Sequence, residues 1–130
     1  MIPRPAVEPQ ESVLIVDQSD QSREVLRTVL ERRGVMIYEA SGAEDGLRLA
    51  RRHCPNVIVL DLEAIPTGAA SATDRLGAQW RACNTPMVLL GNARRAEASL
   101  SNSQVVRKPY HYGPLIRKIE GLIERTRTGD

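Results

Sequence analysis

Two continuous runs of β-branched and leucine residues each end in a single aspartate, at Asp17 and Asp61. A third strand-like stretch, 105–107, ends in Lys108-Pro109. Short apolar runs of this kind are typical of strands that are buried on both faces of a parallel sheet. In open α/β sheets the functional crevice lies beyond the carboxyl ends of the strands. The sequence therefore predicts that two carboxylates and one ammonium group meet in one cleft.

The composition limits the classes of protein to which this chain can belong. At 130 residues it is long enough for one domain with its own core. The net charge of +2 is too small to indicate nucleic-acid binding by electrostatics alone, so no direct nucleic-acid partner is predicted. Cys54 and Cys83 lack metal-ligand spacing and are predicted to be free thiols in a reducing compartment. With no membrane-length apolar run and no signal-peptide core, a cytoplasmic location without membrane contact is predicted.

The chain divides into an irregular leader at 1–11, a domain at 12–125 and a polar tail at 126–130. Prolines at positions 3, 5 and 9 argue against regular structure in the leader. Within the domain, strand-like and helix-like segments alternate five times. This alternation predicts a parallel sheet with helices on both faces and right-handed crossovers.

Capping residues mark the first two helices. Ser19 or Asp20 is predicted to cap the first helix, and Gly34 lies where a left-handed residue commonly ends one. Ser41, followed three residues later by Glu44, predicts a capping box at the start of the second.

Patterning predicts the other elements with unequal strength. They are strands at 35–38, 57–61 and 86–90, a loop at 62–73, a helix at 74–83 with Trp80 in the core, and a last helix with Pro114 at its first position. The last helix has a clear apolar stripe formed by Leu115, Ile116, Ile119, Leu122 and Ile123. Residues 92–104 contain one large apolar side chain, so the fourth helix is predicted to be short or weak.

The chain resembles the receiver domains of two-component response regulators over roughly residues 12–125. Four matches in order carry the resemblance: VLIVD ending at Asp17, VIVLDL around Asp61, Pro66 five residues later, and Lys108-Pro109. The resemblance implies a flavodoxin-like (βα)5 three-layer sandwich around a five-stranded parallel sheet. It also implies signalling by phosphorylation, with no enzymatic activity beyond accepting a phosphoryl group.

The resemblance assigns roles to the strand-end residues. Asp61 corresponds to the phosphoacceptor, and Lys108 to the lysine that offsets the charge of the phosphoryl oxygens. The family's Mg²⁺ ligands are usually an acidic pair that ends strand one, the phosphoacceptor, and a main-chain carbonyl two residues beyond it. The matching positions are Asp17 with Gln18, Asp61, and the carbonyl of Glu63. Oxygen ligands of this kind suit a hard cation.

Three positions depart from the family pattern. Gln18 replaces the second acid of the pair, so Mg²⁺ binding is predicted to be weak or absent. Gly91 stands where the family has a Thr or Ser that moves toward the phosphoryl group, and Val105 stands where it has an aromatic switch residue. These switch positions are therefore degenerate, and the coupling of phosphorylation to a surface change is predicted to be missing.

Several hypotheses remain open at this point. In one, Asp61 accepts a phosphoryl group from a histidine kinase or phosphotransfer protein and the domain regulates an output domain or protein partner. In another, the chain is a pseudo-receiver that acts as an interaction scaffold. For Asp17, metal binding and a structural ion pair with Lys108 are both open. Homodimerisation also stays open. A flavodoxin-like nucleotide- or flavin-binding protein is the alternative from a different class, although no Gly-rich loop follows the first strand.

Overall fold

A parallel sheet forms the centre of the fold in the computed structural model, which describes residues 10–64, 78–80, 82–91 and 103–127. Its strands are β1 (Ser12–Val16), β2 (Met36–Ala40), β3 (Val57–Asp61), β4 (Met87–Leu90) and β5 (Ser103–Val106). The longer helices within these ranges are α1 (Asp20–Arg32), α2 (Ala43–His53) and the C-terminal helix α3 (Tyr112–Arg127). A short 3₁₀ helix spans Leu62–Ala64, and residues 78–80 are also helical. The strand order is β2-β1-β3-β4-β5. This is the predicted flavodoxin-like topology.

The central strands are buried along their whole length because both faces of the sheet are covered. In β1, Leu14 and Val16 face one apolar cluster, whereas Val13 and Ile15 face the other. β3 alternates in the same way, as expected for residues whose side chains point to opposite faces in turn. The continuous apolar runs in the sequence are therefore explained by a sheet that has no solvent face.

Helices on the two faces complete three layers. Leu26 and Leu30 of α1 pack with Leu115 and Ile119 of the C-terminal helix on one face. On the other face, α2 packs with Trp80, which is fully buried, as predicted. All five residues of the predicted apolar stripe in the C-terminal helix are buried.

Both ends of the first helix match the prediction, but the start of the second helix does not. The Ser19 side chain accepts the backbone N–H of Ser22 at 3.2 Å, and Gly34 has a φ of +83°. The predicted capping box at Ser41 is wrong: the N-cap of α2 is Gly42, and no side chain caps it. Packing explains the shift, because α2 begins at Ala43, which is 2% exposed and belongs to the core.

Other boundaries differ by a few residues from the sequence prediction. The C-terminal helix begins at Tyr112, so Pro114 lies within its first turn, where backbone N–H groups need no intrahelical partner. Helix is present at 78–80 within the predicted third helix, and Cys83 lies beyond its end. Most of the rest of that helix, most of the leader and the last three residues lie outside the described residues. Of the segment 92–104, predicted to hold a short or weak fourth helix, residues 92–102 also lie outside them, whereas 103–104 belong to β5, which begins two residues earlier than predicted. Among the residues that are described, no helix is long and apolar enough to cross a membrane.

Candidate functional site

The three strand-end residues meet in one pocket at the carboxyl edge of the sheet. Because β1 and β3 are parallel neighbours with Val16 opposite Leu60, the residues that follow these two, Asp17 and Asp61, are also neighbours. Lys108 enters from the segment after β5. The pocket has a volume of about 710 Å³ and is lined by Asp17, Gln18, Ser19, Ser22, Asp61, Glu63, Lys108, Pro109, Tyr110 and Tyr112.

Asp61 and Lys108 form the central contact of the pocket. The ammonium Nζ donates to both carboxylate oxygens of Asp61, at 2.9 Å each. The backbone N–H of Glu63 donates to Asp61 Oδ1 at 3.0 Å. Asp61 is only 3% exposed, so its charge is balanced by these donors rather than by bulk water. The result is a buried carboxylate held beside a cation.

Asp17 lies beside this pair but is not paired with the lysine. Its Oδ1 accepts the backbone N–H of Ser19 at 2.8 Å, and the carboxylate is 3% exposed. Burial raises the pKa of Asp17, the Ser19 hydrogen bond opposes this rise, and the charge and hydrogen bonding of Asp61 add to it. Among the described residues, the ion pairs of Lys108 go to Asp61 and Glu63. The direct Asp17–Lys108 pair considered from the sequence is therefore not found.

Lys108 remains a cation at neutral pH. Partial burial lowers its pKa, but the hydrogen bond and charge of Asp61, together with Glu63, outweigh burial and leave the pKa raised. The Glu63 carboxylate contributes from the mouth of the pocket, where its Oε2 lies 3.4 Å from Nζ. Its side chain is 69% exposed, so Glu63 is a solvated charge that also touches the site.

The donor set suits a divalent cation only in part. Asp17 and Asp61 offer two adjacent buried carboxylates, whose mutual repulsion a cation would relieve, and such oxygen donors fit Mg²⁺. Within the described ranges, no group of three or more His, Cys, Asp or Glu residues is arranged to hold a metal. Gln18 lines the same pocket with a neutral amide. The lining therefore offers a divalent cation two carboxylates and one amide oxygen.

Neither of the two switch positions carries a polar side chain. Gly91 follows β4, is buried, and has a φ of +141°, a conformation that residues with a side chain rarely adopt. A Cβ built there would lie 3.4 Å from the Cβ of Leu62. Val105, on the edge strand β5, is 37% exposed and aliphatic. The hydroxyl and the aromatic ring of the family pattern thus have no counterpart at these two positions.

Sequence reasoning did not assign four residues that line the pocket. They are Ser19 and Ser22 from the start of α1, and Tyr110 and Tyr112 after the lysine. The Tyr112 hydroxyl donates to Ser22 Oγ at 3.4 Å, and the two tyrosine rings meet edge to face. Burial raises the pKa of Tyr110, although a hydrogen bond with Ser22 opposes the rise. The sequence signal that could have assigned both tyrosines to the pocket was their position within three residues after Lys108-Pro109. The peptide bond between Lys108 and Pro109 is cis.

No family model matches the chain, but its sequence is similar to those of known response regulators. The chain is 31% identical over 120 residues to the KDP operon transcriptional regulatory protein KdpE of Escherichia coli K12, covering 88% of this chain and 52% of that protein. It is 31% identical over 126 residues to protein-glutamate methylesterase/protein-glutamine glutaminase 3 of Hahella chejuensis, covering 88% of this chain and 35% of that protein. The chain thus spans about half, or less, of the curated relatives that it matches.

Solved structures show the same fold. The receiver domain of the Francisella response regulator 1452 superposes with a TM-score of 0.71 at 22% identity, covering 90% of this chain and 99% of that one. A putative response regulator from Chloroflexus aurantiacus gives a TM-score of 0.70 at 20% identity, covering 89% and 99%. The curated relatives of this chain are thus response regulators, and the solved structures that share its fold and strand order are receiver domains.

Proposed function

We propose that the chain is the signalling receiver domain of a two-component phosphorelay system, with Asp61 as the phosphoacceptor and a weakened Mg²⁺ site. The contact between Lys108 and both oxygens of Asp61 is the observation that carries this proposal. A carboxylate and a lysine that are 47 residues apart in sequence are held together in an open pocket. A purely structural turn cap at Asp61 would not require the lysine.

The chemistry follows from this contact. An Asp61 oxygen attacks the phosphorus of a phosphohistidine or acyl phosphate, and the bond from phosphorus to the leaving group breaks. Lys108 can shift one of its hydrogen bonds to a phosphoryl oxygen, because phosphoryl transfer depends mainly on positioning and charge stabilisation. Asp17, Asp61 and the carbonyl of Glu63 are the residues that would hold Mg²⁺, whose charge offsets that of the phosphoryl oxygens.

The partners we propose are a histidine kinase or phosphotransfer protein on one side and an output domain or protein on the other. KdpE is a transcriptional regulatory protein and the Hahella relative is a methylesterase, and this chain spans part of each. The receiver itself would regulate through protein contacts rather than catalyse a reaction. Because Gly91 and Val105 lack the usual groups, the usual coupling of phosphorylation to a surface change would be missing.

The competing function is a pseudo-receiver that scaffolds partners without phosphorylation. It is favoured by the neutral Gln18 in the pocket and by the φ of +141° at Gly91, which would strain a Thr or Ser at that position. The two functions differ in one respect that can be measured directly, which is whether Asp61 gains a phosphoryl group.

Phosphorylation can be measured with acetyl phosphate as the donor. The chain and its Asp61→Asn variant are incubated with acetyl phosphate over a series of Mg²⁺ concentrations, and intact mass is recorded. We expect one added phosphoryl group on the wild-type chain and none on Asp61→Asn. Because the Mg²⁺ site is weak, the yield should continue to rise at high Mg²⁺ concentrations. A folded chain that gains no phosphoryl group at any Mg²⁺ concentration would support the scaffold instead.

A further inference from the structure

Glu63 is anchored beside Asp61 by its main chain, whereas its side chain is exposed at the mouth of the pocket. Its backbone N–H donates to Asp61 Oδ1 at 3.0 Å, within the 3₁₀ helix that follows β3. Its carboxylate is 69% exposed and reaches back to Lys108, with 3.4 Å between Oε2 and Nζ. The main chain at Glu63 is therefore fixed to the site, while the carboxylate can turn within the mouth of the pocket.

The charges of the pocket leave room for one divalent cation. Among the described residues that line it, the carboxylates of Asp17, Asp61 and Glu63 face the single ammonium of Lys108. The lining thus carries two surplus negative charges, which a divalent cation would balance. Gln18 lines the same pocket and adds no charge, so Glu63 is the third acid of this lining.

We propose that the carboxylate of Glu63 is a direct ligand of a divalent cation in this pocket and replaces the acid that is absent at Gln18. In this structure the carboxylate faces Lys108, and the described residues hold no preassembled metal cluster, so binding requires Glu63 to turn. Exposed ion pairs such as Glu63–Lys108 are weak and screened by salt. Lys108 keeps its two shorter bonds to Asp61 when Glu63 leaves.

The ligand role can be tested by Mg²⁺ titration of the full chain, with amide NMR shifts of residues 15–20 and 59–64 as the signal. Affinity depends on the number of charged ligands, so Glu63→Gln is expected to weaken binding by about tenfold. Adding Gln18→Asp to Glu63→Gln should bring the affinity back to within about threefold of wild type, because a carboxylate is restored to the pocket. Glu31→Gln, which removes an exposed acid from the last turn of α1, is the matched control and should change little.

Direct ligation is separated from a distant charge effect by Glu63→Asp. The shorter side chain keeps the charge but loses reach, so this variant should also bind several-fold more weakly. The proposal would be overturned if Glu63→Asp bound Mg²⁺ with wild-type affinity, or if the affinity of Glu63→Gln lay within about twofold of wild type. It would also be overturned if the wild-type chain did not bind Mg²⁺.

The inference rests on the proposed function because it concerns the same pocket, but the two can fail separately. If Mg²⁺ binds through Glu63 and acetyl phosphate leaves Asp61 unmodified, the phosphoacceptor assignment fails and the ligand assignment stands. If Asp61 is phosphorylated while Glu63→Gln binds Mg²⁺ as the wild type does, only the ligand assignment fails. The urea midpoint of each variant, expected to match wild type for the exposed Glu63, verifies that the chain is folded.

Discussion

Replacing Lys108 with methionine tests whether the lysine stabilises a buried carboxylate. With Nζ at 2.9 Å from each Asp61 oxygen, the gross attraction is about 6 kcal/mol at an effective dielectric constant near 20. Desolvation of both groups cancels much of this attraction. Removal of one partner from a buried pair typically costs about 3–5 kcal/mol. Because the Lys108 side chain is 31% exposed, water can partly replace it, and we expect Lys108→Met to lower the free energy of unfolding by about 2–3 kcal/mol.

The same reasoning predicts that a second substitution removes most of this cost. Asp61→Asn eliminates the carboxylate that would be left unpaired and also its repulsion with Asp17. We therefore expect Lys108→Met combined with Asp61→Asn to lie within about 1 kcal/mol of Asp61→Asn alone, a coupling of about 2 kcal/mol. Urea unfolding of the four proteins at neutral pH measures this cycle. A coupling below about 0.5 kcal/mol, which is the usual additivity error, would refute the electrostatic account of the pair.

Three further substitutions follow from the structure. The pKa of Asp17 in the folded chain is raised above 3.8, so ionisation of this group lowers the stability of the folded chain as the pH rises through the raised pKa. Asp17→Asn should therefore be more stable than wild type near pH 7 and lose this advantage near pH 3. Urea midpoints at the two pH values measure this difference. Gly46→Ala gains about 1 kcal/mol of helix propensity, but its Cβ would lie 2.6 Å from Val16 Cγ2, so we expect a net loss of about 1 kcal/mol in thermal unfolding. Gly91→Thr should restore a hydroxyl yet lose about 1–3 kcal/mol in urea unfolding because φ is +141°; unchanged stability would show that the backbone relaxes there.

The strands and their order follow from the sequence because burial on both faces leaves a strong signal. β1 and β3 contain continuous apolar runs; Asp17 directly follows β1, and Asp61 is the last residue of β3. The start of α2 was harder to predict from the sequence. Ser41 and Glu44 satisfy a local capping pattern, but the core position of Ala43 decides the boundary. Local patterns thus predict the elements, and tertiary packing decides where an element begins.

The charged residues of the site could be predicted from the sequence, but their contacts could not. Parallel strands bring Asp17, Asp61 and Lys108 to one edge, which is a matter of topology. The choice of Asp61 over Asp17 as the partner of Lys108, and the reach of Glu63 to the same ammonium, depend on side-chain positions that no sequence pattern encodes. At Gly91, too, the sequence gives only part of the information. It shows that a hydroxyl is missing, whereas the backbone φ shows that a threonine would be strained there.

The most direct test of the phosphoacceptor assignment is binding of beryllofluoride, which mimics an aspartyl phosphate, followed by amide NMR in the presence of Mg²⁺. The account predicts shifts concentrated at Asp61, Glu63, Lys108 and the segment after β1, all absent from the Asp61→Asn variant. Unchanged spectra at saturating beryllofluoride, or equal shifts in wild type and Asp61→Asn, would contradict it.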